Sequence, residues 1–117
     1  MTSNSLFGPV TDQERIRWQL QGARALTDLL TNAFHEQLPA IDWQLGTGSA
    51  LLGQIRHPGQ APADLREAFT AWALYLGAVP TEHTHGGRTA LRAKVERHPA
   101  YGVDIVVLAE FYADEQD

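Results

Sequence analysis

Between residues 11 and 37, apolar positions recur every three or four residues: Ile16, Leu20, Ala23, Leu26, Leu30, Ala33 and Phe34. That spacing places them on one stripe of a helix. Arg15, Arg17, Arg24, Asp28 and Glu36 fall largely off the stripe. Thr11 followed by Glu14 fits a capping box, in which each side chain satisfies a backbone amide that has no partner within the helix. Leu38-Pro39 ends the pattern, because a residue before proline is pushed out of the helical region. The pattern predicts a first helix over 12–37, on the order of seven turns long.

The period then changes from helical to alternating. Ile41, Trp43 and Leu45 alternate with Asp42 and Gln44, as in a half-buried strand. Gly46-Thr47-Gly48-Ser49 turns the chain, and Ala50–Ile55 returns as a second strand. Residues 56–61 have the composition of a loop. Pro62 suits the first position of a helix, where its missing amide costs nothing. Leu65, Phe69, Trp72, Ala73 and Leu76 then mark a second helix over 62–76. Gly77 supplies a left-handed stop, and Pro80 forbids resumption.

Two strands follow, Thr81–His85 and Arg88–Arg97, joined by Gly86-Gly87. A two-residue loop sets His85 against Arg88, Thr84 against Thr89 and His83 against Ala90. Thr89, Leu91, Ala93 and Val95 then share the face that meets the helices. His83, His85, Arg88 and Arg92 share the other. After a turn at His98-Pro99-Ala100, the run Val103–Phe111 is apolar on both faces, with Val106 and Leu108 opposite Val103, Ile105, Val107, Ala109 and Phe111. Such a strand sits inside a sheet or beneath a second layer.

The element order is α-β-β-α-β-β-β. It predicts an α+β, two-layer domain: a mainly antiparallel sheet, read as a five-strand meander, with two helices packed on one face. The helix-free face is then where any activity resides.

A chain of 117 residues is one domain. It divides into a flexible lead over 1–10, a folded body over 11–112 and an acidic tail over 113–117 that holds Asp114, Glu115 and Asp117. No apolar run reaches the roughly 20 residues needed to span a bilayer. The N-terminus has neither the basic start nor the apolar core of a secretory signal, so a cytoplasmic location is the expectation. The absence of cysteine excludes disulfides, thiolate metal sites and thiol nucleophiles. A net charge of −5 argues against general nucleic-acid binding. Residues 79–99 nevertheless gather Arg88, Arg92, Lys94 and Arg97 against Glu82 and Glu96. A nucleic-acid accessory role on that basic face is possible but not favoured, because stacking aromatics are missing there.

Several motifs fail on context. Gly46–Ser49 lacks the following helix and the Gly-Lys-Ser/Thr of a phosphate loop. Ser49 lacks the flanking glycines of a nucleophile elbow, with Thr47 and Leu51 in their places. His35-Glu36 begins a zinc-protease helix but has Pro39 where the second histidine belongs. His83-Thr84-His85 is the sharpest local signal. Residues two apart on a strand point the same way and could give a metal ion two imidazoles. A third ligand would have to come from His57 or His98, and otherwise these are surface histidines beside a tight turn.

Trp43 and Trp72 fall on core positions. Trp18 falls off the first helix's stripe, where an exposed tryptophan would mark an interface. The candidate interaction surface is therefore Trp18, Arg88, Arg92, Lys94, Val106 and Leu108.

The strand Ile41-Asp42-Trp43-Gln44-Leu45 with its glycine-rich turn and Leu51-Leu52-Gly53 return, Phe69-x-x-Trp72, Glu82-His83-Thr84, and the Val103–Tyr112 strand with its acidic tail resemble small, functionally uncharacterised proteins of Streptomyces-type actinobacteria. The resemblance covers most of the chain and implies no activity.

With no assembled catalytic set and no implied cofactor, the expectation is a non-enzymatic protein-interaction module. It would self-associate as a homodimer, or bind another protein, through its sheet. The alternatives are a small ligand- or metal-binding protein, or an enzyme, that uses His83 and His85, and the nucleic-acid role above.

Overall fold

The computed structural model describes residues 9–56 and 60–112. Residues 1–8 of the lead expected over 1–10, the tail over 113–117 and His57 lie outside the described residues. The elements are α1 (Asp12–Glu36), β1 (Asp42–Leu45), β2 (Leu51–Ile55), α2 (Pro62–Leu76), β3 (Val79–His85), β4 (Arg88–Val95) and β5 (Ile105–Tyr112). The order is the predicted one, and the class is α+β.

The helix ends form for the expected reasons. Thr11 Oγ1 accepts from the Glu14 amide at 3.1 Å, and Glu14 Oε1 accepts from the Thr11 amide at 3.2 Å. Helix α1 closes at Gln37, which is left-handed (φ 58°), and α2 closes at Gly77 (φ 68°). Glycine adopts that backbone without strain, whereas Gln37 does so against the ordinary preference of a side-chain-bearing residue.

The sheet order is β1-β2-β5-β4-β3. Residues 79–112 form the predicted antiparallel run, with His85 opposite Arg88, Thr84 opposite Thr89 and His83 opposite Ala90. The whole is not a meander. Strand β5 lies at the centre, antiparallel to β4 and parallel to β2, with Leu51 opposite Ile105 and Ile55 opposite Ala109. Its two apolar faces suit that central position. The boundaries shifted by two residues are that β3 begins at Val79 rather than Thr81, β4 ends at Val95 rather than Arg97, and β5 begins at Ile105 rather than Val103. The intervening segment folds as a turn, with the His98 amide donating to the Val103 carbonyl at 2.9 Å.

Both helices pack on one face. Leu51 and Ile55 from β2, Leu91 and Ala93 from β4, and Ile105, Val107, Ala109 and Phe111 from β5 meet Leu29 of α1 and Leu65, Phe69, Trp72 and Leu76 of α2 in one core. Trp72 donates its indole N–H to the Pro39 carbonyl at 2.8 Å and meets Trp43 edge-on at 5.3 Å. Gly53 leaves room for Trp43, since a Cβ there would lie 3.0 Å from the indole ring. Asn32 donates to the Tyr101 hydroxyl at 2.8 Å, which in turn lies 2.9 Å from the Tyr75 hydroxyl. This chain of polar contacts ties α1, the β4–β5 turn and α2 together.

The stripe predicted for α1 is only partly the one that is buried. Ile16, Leu20, Leu30 and Phe34 are exposed, Phe34 to 81%. Of the predicted stripe, Ala33 is buried and Leu26 packs half-buried against the core, and the rest of the core-facing side is Gly22, Ala25 and Leu29. The reason is close approach. A Cβ on Gly22 would lie 3.0 Å from both Leu45 Cδ2 and the Ser49 carbonyl oxygen, so the helix presents its small residues to the β1–β2 hairpin.

Leu29→Ala should therefore lower the urea-unfolding free energy by about 2–5 kcal/mol, while Phe34→Ala in dilute protein should change it by less than about 0.5 kcal/mol. Equal effects would restore the predicted stripe. A second outcome concerns pH. Partial burial, then the contact with Tyr101, pushes the Tyr75 hydroxyl up to about 12. The unfolded chain releases that proton near the ordinary value of about 10, before the folded chain does. Stability should thus fall as pH rises from about 10 towards 12, and Tyr75→Phe should flatten that slope in urea titrations across the same range.

Candidate interaction surface

The face of the sheet away from the helices is bare among the described residues, and the strand register arranges its side chains in rows. One row runs Gln44, Leu52, Val106, Lys94, Val79, and the next runs Asp42, Gln54, Leu108, Arg92, Thr81. Beyond them come Glu110, Ala90, His83 and then Tyr112, Arg88, His85. Leu52, Val106 and Leu108 are half-buried in the middle, screened by the longer side chains on either side. Val79 and Tyr112 are exposed large apolar residues at the margins. The result is a short apolar strip with a basic flank on β4.

That flank is partly neutralised. Arg88 is paired with Glu110 across the strands, and Lys94 Nζ lies 3.9 Å from Glu96. Both pairs are exposed, so they contribute little to stability. Arg92 makes no ion pair among the described residues. On the helix side of β3, Arg66 of α2 holds Glu82 at 2.9 Å and lies 5.3 Å from the centre of the Phe111 ring. Its hydrogen bond keeps the Glu82 carboxyl below the usual carboxylate range. Strand β3 is exposed along its whole length and pairs on one side only among the described residues, which leave its outer backbone edge open.

His83, His85, Arg88, Arg92, Lys94, Val106 and Leu108 therefore do share one face, as the alternation implied. Trp18 does not join them. It lies on α1, across the sheet from that face, and is half-buried rather than exposed. The histidine pair gains no companions: no group of three or more His, Cys, Asp or Glu side chains placed to hold a metal ion occurs among the described residues. His98 is occupied in its turn, with Nδ1 accepting from the Ala100 amide at 3.1 Å and its ring 4.8 Å from that of Tyr101.

A second feature was not read from the sequence. At the end of the sheet where β2 and β5 begin, the 46–50 turn, the 97–104 turn and the first half of α1 enclose an open groove of about 470 Å³. Trp18 forms one wall, with Gln21, Thr47, Ser49, Arg97 and Asp104 around it. Arg97 is left-handed (φ 46°), held by its amide donating to Asp104 Oδ1 at 2.8 Å. Because β4 ends at Val95, Arg97 lies in this turn and not with the basic residues of the strand among which the sequence grouped it. The groove is built from two turns that meet only in the folded chain. Its available signals were the polar residues of the Gly-rich turn and the off-stripe tryptophan.

No helix among the described residues is long and apolar enough to cross a membrane. Comparison with protein families, with curated proteins and with solved structures finds no match to the chain.

Proposed function

We propose that the protein is a non-enzymatic interaction module that receives a protein partner on its helix-free sheet face. The supporting observation is the pattern on that face. An apolar strip, Leu52, Val106 and Leu108, is bordered on one side by Arg92 and Lys94 and lies in a five-stranded sheet with helices on the other side only. Apolar centres with polar rims are how protein interfaces are commonly built. The basic flank favours a partner that sets acidic side chains beside its apolar ridge. The open edge of β3 offers the same partner a strand to extend. A cytoplasmic location fits this reading. His83 and His85 serve as polar contacts on the margin, and no metal or cofactor is invoked.

A second reading, a small-ligand protein, draws on the groove instead. Arg97, Thr47, Ser49 and Gln21 line it with Trp18, and Asp104 lies among them. That set suits a small planar anion, which the guanidinium would bind and the indole would cover.

A photo-reactive amino acid placed at Leu108, used in the producing cells, should trap a discrete protein adduct. The same group at Glu67, on the outer side of α2, should not. The adduct's mass tells a second copy from a different protein. Equal trapping at both positions would remove the sheet-face reading. Loss of a bound small molecule on Arg97→Ala, seen by native mass spectrometry, would replace it with the second.

A further inference from the structure

Helix α1 has an apolar side facing away from the sheet that its own chain leaves uncovered among the described residues. Ile16, Leu20, Leu30 and Phe34 are exposed, at 61%, 48%, 44% and 81%. Ala23 and Thr27, also exposed, fall between them. Positions 16, 20, 23, 27, 30 and 34 are spaced four, three, four, three and four apart. That is a 3.5-residue repeat, the seam by which one helix packs along another. At 100° per residue this seam lies roughly opposite Gly22, Ala25 and Leu29, which meet the sheet. Helix α2 has no such stripe: Leu74 is its one exposed large apolar residue.

We propose that this seam pairs α1 with α1 of a second copy of the chain, antiparallel about a two-fold axis beside residue 25. The reading is independent of the sheet face. In this register Ile16 of one copy meets Phe34 of the other, Leu20 meets Leu30, and Ala23 meets Thr27. Large residues meet at both ends, and the small pair at the axis lets the helices approach closely.

The charges select this orientation. The segment 12–24 holds three arginines, Arg15, Arg17 and Arg24, against Asp12 and Glu14. The segment 25–36 holds Asp28 and Glu36 and no arginine or lysine. An antiparallel pair sets the positive half against the negative half, and a parallel pair sets like against like. Arg24 and Asp28 lie on the same flank of the seam. Neither makes an ion pair within the chain among the described residues. Because a two-fold axis brings that flank against itself reversed, Arg24 of each copy reaches Asp28 of the other in an alternating cluster of four charges. The opposed helix dipoles favour the same arrangement. Such a dimer leaves both sheet faces open, so one assembly would present two copies of the partner surface.

Light scattering across a concentration series of the full chain tests this. The expected result is a mass twice that of the chain, falling to one chain in Leu20→Glu/Leu30→Glu with an unchanged circular dichroism spectrum. Asp28→Arg should weaken the dimer, and the exchange Arg24→Asp/Asp28→Arg should restore it. The cysteine-free background allows orientation to be read directly. Oxidising a mixture of Ala23→Cys and Thr27→Cys proteins should give a covalent heterodimer. Ile16→Cys alone should not cross-link, because the two copies of residue 16 lie about 27 Å apart in the antiparallel register. A monomer at the highest soluble concentration would overturn the proposal. So would a dimer that survives Leu20→Glu/Leu30→Glu but is lost in Val106→Glu/Leu108→Glu, or ready cross-linking of Ile16→Cys.

Discussion

Strand β5 is the constraint from which the rest of the molecule follows. It pairs with β2 on one side and β4 on the other, and so joins two hairpins that share no other sheet contact. Its inner residues, Ile105, Val107, Ala109 and Phe111, are buried beneath the helices. An apolar residue at the centre of a sheet is stabilised by removal from water on the covered face, at about 25 cal/mol per Å². Its outer neighbours, Val106 and Leu108, occupy the middle of the uncovered face for the same topological reason: the central strand passes through the middle of both faces. The apolar strip proposed for partner binding is thus a direct result of where β5 lies.

Much of this was legible in local sequence. Pro62 and Gly77 bound α2 because each has a backbone property that a helix end uses. The Gly86-Gly87 turn fixed the β3–β4 register to the residue. With that register the shared face of His83, His85, Arg88 and Arg92 followed by alternation alone. The parallel pairing of β2 with β5 was not legible, because no local pattern distinguishes a strand's neighbours at a separation of about fifty residues. The groove at Trp18 and Arg97 was hidden for a related reason. It depends on a left-handed arginine and on two turns brought together by that same pairing.

The misread face of α1 has a different cause. The helix carries two stripes, one of large apolar residues and one rich in glycine and alanine. Hydrophobic periodicity weighs residues by apolar size, so it selects Ile16, Leu20, Leu30 and Phe34. Packing selected the small ones, because Gly22 lies against Leu45 and the backbone at Ser49 and has no space for a side chain. When a helix has two competing stripes, the one that loses the core is information about a surface. Trp18 was misassigned by the same logic: judged off-stripe, it belongs to the side that turns towards the sheet.

The parallel register of β2 and β5 also orders events during synthesis. Residues 51–55 emerge from the ribosome long before 105–109, the segment that must hydrogen-bond to them. Until then the nascent chain can complete α1 and the β1–β2 hairpin, but the inner edge of β2 stays unpaired. Non-local pairings of this kind slow folding and leave strand edges open to the wrong partner. A chain shortened by only its last dozen residues would therefore lose the link between its two hairpins as well as a strand, and would be expected to aggregate rather than fold partway.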